Sequence, residues 1–391
     1  MGSIEELRFN WEIYGSFGGR KAIYRNFIDR RLKSLKPSWK HVIPFRSGNA
    51  SGIASMALDP VEHRFLLCGS YRGNISVVDL ENFSQAHPGQ PVSHKFIPAS
   101  NSSNHDFLIT TCQWYSKDSS VFVTSSMDQT VKIWDANMMC HVEKFTFENP
   151  VDQIHWSVAK SKFPLIAVAQ STSNIQLIDP RGGHALQHLR WKSENVVSVQ
   201  WSLVNENLLF TGGSHGNISL WDVRSGKSEL KTFRNPHKRR SAVMAIRFSP
   251  SGNFMVTHDR SRVFDVWDAN SLKHKWAVQL EDRRSVHSTM KHLQFELCHD
   301  GTRLLAIAPA DTEVALLELD SGKPRPALHL LHGHYQGVTS CVYRTTYNQV
   351  ISSSSDRLVL VWSPEMDEKK PETEEIKENE LHQDAWSDED R

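Results

Sequence analysis

The sequence has no apolar run long enough to span a bilayer and no apolar segment near residue 1. A membrane-spanning helix needs about 20 consecutive apolar residues, so we expect neither a membrane anchor nor a signal peptide. Cysteine is also scarce, and no two cysteines form a CxxC pair. The five are Cys68, Cys112, Cys140, Cys298 and Cys341. This usage predicts a reducing compartment and no zinc site.

Net charge is close to zero, at +1, but it is unevenly distributed. Residues 365–391 hold 12 acidic and 4 basic residues, a net charge of −8, which leaves +9 on residues 1–364. Such a Glu-rich run buries too little apolar surface to fold, so we expect a disordered acidic tail. Trp386, within DAWSDED, is interpreted either as part of a short docking motif or as incidental. The basic residues of the body do not cluster with aromatic residues, which argues against sequence-specific nucleic-acid binding.

An apolar-Trp-Asp ending recurs along the chain and dominates its organisation. The seven anchors are Val78, Trp134, Ile178, Trp221, Trp267, Leu317 and Trp362. Most intervals are near 45 residues, the period of WD repeats, in which each repeat forms a four-stranded blade. Alternating apolar segments broken by turn residues precede each anchor, as β-hairpins require. The pattern predicts an all-β, seven-bladed WD-repeat β-propeller. We expect the polar insertion at 81–107 to be a surface loop.

Residues 1–50 do not fit the repeat. Residues 21–35 have apolar side chains at helical spacing, which predicts an amphipathic helix. The stripe is formed by Tyr24, Phe27, Ile28, Arg31, Leu32 and Leu35. This helix would pack either on its own propeller or on another protein. Its short length favours docking on a partner at least as much as packing on the propeller. Residues 39–45 are predicted to form the strand that closes the ring. The predicted domains are therefore a helical docking segment (1–38), the propeller (39–364) and the tail (365–391).

Two copies carry the same four polar or aromatic residue positions. They are His105, Thr124, Asp128 and Trp134 in the second copy, and His334, Ser352, Asp356 and Trp362 in the last. Because the set recurs, it is interpreted as a structural hydrogen-bonded tetrad and not as a catalytic triad. In degenerate copies, His215 and Ser261 take the Asp position and Lys192 takes the His position. We therefore predict no catalytic residue, no metal and no cofactor. The open alternative, an enzyme with a channel active site, would need acids, bases or metal ligands gathered from several blades.

Arg224 is not required by the repeat. Trp221 and Asp222 complete the repeat, and Arg224 follows at the rim, where a guanidinium could bind carboxylates or carbonyls of a partner. The other copies are interpreted as lacking this arginine, with Asn137, Pro180-Arg181, Asn270, Asp320 and Glu365 at or near the same place. On Arg224 alone, a surface residue with an incidental salt bridge is the simpler interpretation.

A blade that ends in ISLWDVR (218–224) resembles the docking box of WD-repeat substrate receptors of cullin 4 ubiquitin ligases. These receptors bind the damaged-DNA-binding adaptor through the rim arginine and an N-terminal helical segment. The resemblance implies an adaptor contact by Trp221, Asp222 and Arg224 and by the helix residues Tyr24, Phe27, Ile28 and Arg31.

The chain also resembles the Cockayne syndrome group A family along nearly its whole length. The segments that carry this resemblance are 58–82, 110–137, SLWDVR, 331–343 and 382–390; it is thin in blades three, five and six. The resemblance implies a nuclear role in transcription-coupled nucleotide excision repair, with a group B-type ATPase and stalled RNA polymerase II as partners. One face would clamp the adaptor while the other holds a substrate, so that ubiquitin transfer follows from proximity. The alternative is a generic WD-repeat scaffold of a nuclear complex without a ligase role.

Overall fold

The computed structural model shows seven four-stranded antiparallel sheets. It describes residues 31–45, 51–84, 93–100, 102–157, 164–182, 184–224, 229–234, 240–280, 294–299, 304–319 and 329–364. The strands are β1 (Leu35–Pro44), β2 (Ile53–Leu58), β3 (Phe65–Ser70), β4 (Ile75–Ser84), β5 (Ser93–Pro98), β6 (Ile109–Trp114), β7 (Val121–Ser126), β8 (Thr130–Asp135), β9 (Cys140–Thr146), β10 (Gln153–Trp156), β11 (Ile166–Ala169), β12 (Asn174–Asp179), β13 (His184–Arg190), β14 (Val196–Trp201), β15 (Leu208–Gly213), β16 (Asn217–Asp222), β17 (Lys231–Arg234), β18 (Val243–Phe248), β19 (Phe254–Asp259), β20 (Val263–Asp268), β21 (His274–Gln279), β22 (Glu296–His299), β23 (Leu304–Ala310), β24 (Glu313–Glu318), β25 (His329–His332), β26 (Val338–Arg344), β27 (Gln349–Ser354) and β28 (Leu358–Pro364).

Each sheet is one blade of a seven-bladed propeller, which confirms the predicted fold class. Blades 1 to 6 are built from consecutive strands, from β2–β5 through β22–β25. Blade 7 has the order β1-β28-β27-β26, so the first strand of the chain joins the last three. The sequence prediction of a closing strand is therefore confirmed, although it begins at Leu35 and not at residue 39. The domain boundary expected between residues 38 and 39 lies inside β1.

The third strand of each blade carries its anchor residue into the packed interior. Trp134, Trp221 and Trp362 are each at most 1% exposed. Burying an indole of ~200 Å² contributes roughly 5 kcal/mol, whereas its N–H hydrogen bond contributes a net of about 1 kcal/mol. Packing thus dominates, which explains how Val78 and Ile178 serve as anchors without an indole; both are fully buried.

The insertion at 81–107 differs from the loop that its composition predicts. Strand β4 continues through Ser84 and pairs with β5, with Phe83 opposite His94 and Ser84 opposite Ser93. Proline lacks a backbone N–H, so an edge strand can contain it wherever that position need not donate a hydrogen bond to the neighbouring strand. The prediction of a surface loop across the whole insertion was therefore wrong.

The two faces of the ring follow from strand direction. The third strands all end at one face, which we call the Arg224 face because Arg224 follows the end of β16 there. The opposite face, the His334 face, carries the turns between second and third strands and the loops before each first strand. Leu35 pairs with Pro364, the last residue of β28, so β1 begins on the Arg224 face.

Candidate functional site

Trp221 fixes the end of β16 within blade 4. Its indole N–H donates to Oγ1 of Thr211 at 2.9 Å, and its ring meets Trp191 edge-on at 6.5 Å between centroids. A rotamer held by both packing and a hydrogen bond gives the following residue, Asp222, a defined position at the rim.

Asp222 and Arg224 form a bidentate ion pair on the Arg224 face. Nε of Arg224 donates to Oδ1 of Asp222 at 3.1 Å and Nη2 donates to Oδ2 at 2.7 Å. The hydrogen bond from Arg224 holds the pKa of the Asp222 carboxyl below its usual value. The Arg224 side chain is 68% exposed. The ion pair uses two of the five guanidinium N–H donors, so it orients a largely exposed guanidinium that can still donate to a partner.

Blade 3 carries a second arginine at the same position, which corrects the interpretation that the other copies lack one. Arg181 stands three residues after Ile178, as Arg224 stands three after Trp221. Oδ1 of Asp179 accepts the Arg181 backbone N–H at 2.9 Å, and Oδ1 of Asp222 accepts that of Arg224 at 3.0 Å. Two neighbouring blades therefore present exposed arginines on one face.

Exposed apolar side chains accompany these arginines. Val204, in the loop between β14 and β15, is 74% exposed, and Leu230, just before β17, is 55% exposed. Glu206 lies close enough to Arg224 to raise the pKa of its guanidinium, after the larger effect of Asp222. The rim of blade 4 thus combines an oriented cation with apolar surface, the composition that protein interfaces favour.

The N-terminal segment reaches the same face. Residues 31–33 are helical, and Ser34 caps them by donating from N and Oγ to the Arg31 carbonyl at 3.2 and 3.0 Å. Leu32 is 1% exposed and packs with Leu35 against the core of blades 6 and 7. The described end of the predicted stripe therefore lies on the protein's own propeller. Arg31 is half-buried, and Tyr24, Phe27 and Ile28 lie outside the described residues.

The second-blade tetrad forms a continuous hydrogen-bonded chain. His105 lies between Asp128 and Thr124, with Nδ1 and Nε2 each 2.8 Å from the partner oxygen, and the Trp134 indole donates to Thr124 at 2.8 Å. Burial lowers the pKa of His105. Burial alone would raise the pKa of Asp128, but the hydrogen bond with His105 lowers it overall. The four residues join strands β7 and β8, the turn between them and the loop before β6, which is a structural role.

Blade 7 repeats this arrangement. His334 Nδ1 lies 2.9 Å from Oδ2 of Asp356, its Nε2 lies 2.8 Å from Oγ of Ser352, and the Trp362 indole donates to Ser352 at 2.8 Å. In both blades the Asp also accepts the backbone N–H of the residue after the His, which is Tyr335 in blade 7, at 3.1 Å. The tetrad therefore also fixes the loop on the His334 face.

Blade 4 has a buried carboxylate in place of the tetrad His. Comparing the repeats at fixed spacing pointed to Lys192 and did not identify this carboxylate. Glu194, two residues beyond Lys192, accepts from the backbone N–H of His215 and from the Asn217 side chain, the latter at 2.7 Å. Lys192 is exposed. A search for acids within two residues of the expected His would have found this substitution. In blade 5, the backbone N–H and the Oγ of Ser261 both donate to Oγ of Ser241, each at 3.0 Å.

Polar side chains also line the central channel, where an enzyme would place its chemistry. His155 accepts the Trp201 backbone N–H at 3.3 Å and lies 2.9 Å from Nε2 of Gln200, while Arg247 donates to Gln200 at 3.1 Å. Burial lowers the pKa of His155 to about 3 and raises that of Glu296 to about 7. These contacts join neighbouring blades, so the channel residues hold the ring together.

The family model described as WD domain, G-beta repeat matches two segments of this chain, residues 98–135 and 325–363. They contain all eight residues of the two tetrads. This is a WD-repeat β-propeller.

The five cysteines are free. No group of three or more His, Cys, Asp or Glu that could hold a metal occurs in the described part of the chain, and no helix described there is long and apolar enough to cross a membrane.

Several known proteins are similar to this one. WD repeat-containing protein ATCSA-1 of Arabidopsis thaliana is 25% identical over 410 aligned positions, covering 86% of this chain and 90% of that protein. Radiation-sensitive protein 28 of Saccharomyces cerevisiae is 34% identical over 146 positions, covering 35% of this chain and 28% of that protein. A ribosome biogenesis protein WDR12 homolog of Anopheles gambiae is 26% identical over 199 positions, 47% of this chain and 44% of that protein. These relatives have different names, so the function of this chain has to be inferred from the residues on the two faces of the ring.

Proposed function

We propose that this WD-repeat protein is the substrate-recognition subunit of a cullin 4 RING ubiquitin ligase, acting in the nucleus in transcription-coupled nucleotide excision repair. The observation that supports it most is that Arg224 and the start of β1 lie on the same face of the ring. An adaptor that binds both the rim arginine and the N-terminal segment needs them on one side. The near full-length likeness to ATCSA-1, and the likeness of a shorter stretch to a radiation-sensitivity protein, agree with a repair role.

The damaged-DNA-binding adaptor would bind the Arg224 face. Asp222 already orients the guanidinium, so little side-chain entropy is lost when the remaining donors meet backbone carbonyls or a carboxylate of the adaptor. Arg181 in the next blade extends the cationic edge, and Val204 and Leu230 supply apolar area around it.

The His334 face would then remain available for a substrate or for repair partners, such as a group B-type ATPase at stalled RNA polymerase II. The protein contributes no bond-making group to ubiquitin transfer. Holding a substrate beside the ligase raises its effective concentration, which is the whole of its catalytic contribution.

The test is the affinity of purified full-length variants for the purified adaptor. We expect Arg224→Glu to weaken binding by about 30-fold, the ~2 kcal/mol typical of a central interface arginine. Arg181→Glu is expected to weaken it less, because no large apolar side chain is exposed among the described residues of blade 3. Tyr335→Ala, on the opposite face, is the control and should bind like the wild type.

Removing residues 1–30 tests the N-terminal contribution without disturbing Leu32 and Leu35, which belong to the core. We expect the shortened protein to melt like the wild type and to bind the adaptor more weakly. Wild-type affinity in both Arg224→Glu and the truncation would favour the alternative, a scaffold without a ligase role.

A further inference from the structure

The His334 face carries two exposed aromatic side chains held on rigid backbone. Tyr335 is 85% exposed and Phe107 is 62% exposed. Tyr335 follows a tetrad His, and Asp356 accepts its backbone N–H at 3.1 Å. The Phe107 carbonyl accepts from Oγ of Ser126 at 3.1 Å. Aromatic residues on fixed backbone lose little entropy on binding, which makes them favourable anchors.

Blade 1 connects these two aromatic residues. Tyr71 N–H donates to the Gly52 carbonyl at 3.1 Å, and a Cβ at Gly52 would lie 2.5 Å from the Cα of Ser355 in blade 7. On the other side, the His105 N–H donates to the Gly73 carbonyl at 3.1 Å. The loops of blades 7, 1 and 2 therefore form one continuous surface.

Two exposed arginines flank the aromatic residues. Arg72 lies beside Gly73 in the blade 1 turn, and Arg357 follows the tetrad Asp356 in blade 7. We call Arg72, Phe107, Tyr335 and Arg357 the aromatic–arginine patch. On the described loops of the His334 face the exposed charges are mainly basic. The basic residues are Arg72, Lys192, Arg240, Arg260 and Arg357, and the acidic ones are Asp106 and Glu148.

Arg357 occupies a backbone position that favours glycine. Its φ is 70°, and the equivalent turn residues of blades 1 and 4 are Gly73 and Gly216, with φ of 82° and 90°. An L side chain is strained in this region. Arg262 has the same conformation in blade 5, with φ of 61°, but it forms a bidentate ion pair with Asp311. No such pair is formed by Arg357 within the described residues, so its guanidinium is available to an external carboxylate.

We propose that the acidic motif around Trp386 of this chain binds the aromatic–arginine patch. The motif has the complementary composition: a single indole among acids, in a segment of net charge −8. The indole would lie against Tyr335, and the flanking acids would pair with Arg357 and Arg72. This contact covers part of the His334 face and is independent of the proposed adaptor contact, which uses the opposite face.

The length of the intervening chain suits this contact. Strand β28 runs from Leu358, next to Arg357 of the patch, to Pro364, where the tail begins. Seven residues at about 3.4 Å each place the patch and the beginning of the tail about 24 Å apart. Trp386 lies 22 residues after Pro364 in the sequence, and a random coil of that length has a root-mean-square end-to-end distance of about 26 Å. When linker length matches the span, the effective concentration of the tethered motif is greatest, on the order of 1 mM.

A competition experiment tests the contact. A fluorescent peptide of residues 380–391 is titrated into the full-length wild type and into full-length Trp386→Ala. We expect Trp386→Ala to bind the peptide, and the wild type to bind it about tenfold more weakly, because a tethered motif at about 1 mM competes with a peptide of Kd about 100 µM.

Second-site variants in the Trp386→Ala chain locate the patch. Arg357→Gly and Tyr335→Ala should abolish peptide binding. Arg357→Gly should also melt at or above the wild-type temperature, because glycine relaxes the positive φ, so loss of binding cannot be attributed to unfolding. Tyr347→Ala, which removes an aromatic residue that is 47% exposed on the Arg224 face, is the matched control and should bind normally.

Three results would overturn the contact: no binding to Trp386→Ala, equal binding to wild type and Trp386→Ala, or binding that Arg357→Gly and Tyr335→Ala leave unchanged. Competition that grows with protein concentration would also overturn it, because the tail of a second copy would then be the occupant.

Discussion

His258 shows how one buried residue makes the stability of the propeller depend on pH. Its ring lies 4.6 Å from Phe264 and 5.8 Å from Phe295, between centroids, and its Nδ1 has no hydrogen-bond partner in the described part of the chain. Burial lowers the pKa of His258 from 6.5 to about 4. The imidazole is therefore neutral in the folded protein at pH 7, and protonating it must be unfavourable.

We expect the wild type to lose about 2 kcal/mol of unfolding free energy at this residue between pH 7 and pH 5. The sign follows from the lowered pKa: below pH 6.5 the unfolded chain binds a proton that the folded chain still excludes, so stability falls with pH. Denaturant melts of His258→Leu should show a smaller difference between the two pH values. His215→Leu, which removes an exposed histidine, is the control. If the unfolding free energy fell by the same amount between pH 7 and pH 5 in His258→Leu and in the wild type, this role would be contradicted.

The closing strand β1 is the element on which ring integrity depends. Ile43, opposite Val359 of β28, is fully buried. We expect Ile43→Ala to cost about 2–5 kcal/mol and to lower the melting temperature, because it leaves a cavity beside the strand that completes blade 7. Val142→Ala on β9, where the side chain is 68% exposed, is the matched control and should melt within a degree or two of the wild type. A melting temperature unchanged by Ile43→Ala would show that β1 contributes little to closure.

At the level of elements, the repeat was readable from sequence because anchor spacing and strand alternation are local properties. Local composition misled at the insertion, where strand pairing of Phe83 with His94 depends on the neighbouring strand. It also misled at Lys192, since Glu194 reaches the same site from two residues further along. Arg181 has the same Asp-x-Arg spacing as Arg224, but Pro180 in the middle position makes the two segments look different in the sequence. Leu32 could not be assigned to the propeller or to a partner from periodicity alone, because both offer an apolar surface.

At the scale of the whole molecule, the two faces of the ring have different compositions. The Arg224 face presents oriented arginines, apolar rim residues and the start of β1. The His334 face presents the aromatic–arginine patch on loops that the tetrads hold in place. The ring between them is bound blade to blade by buried side chains.

The most direct test of the proposed function is backbone hydrogen exchange of the full-length protein with and without the purified adaptor. We expect the adaptor to slow exchange at 136–139, 180–182 and 222–224, the loops after the third strands of blades 2 to 4, and at 31–35. Exchange at 333–337 and at 71–73 should stay as in the free protein, because these loops lie on the His334 face. Protection confined to the His334 face, or no protection on either face, would contradict adaptor docking through Arg224.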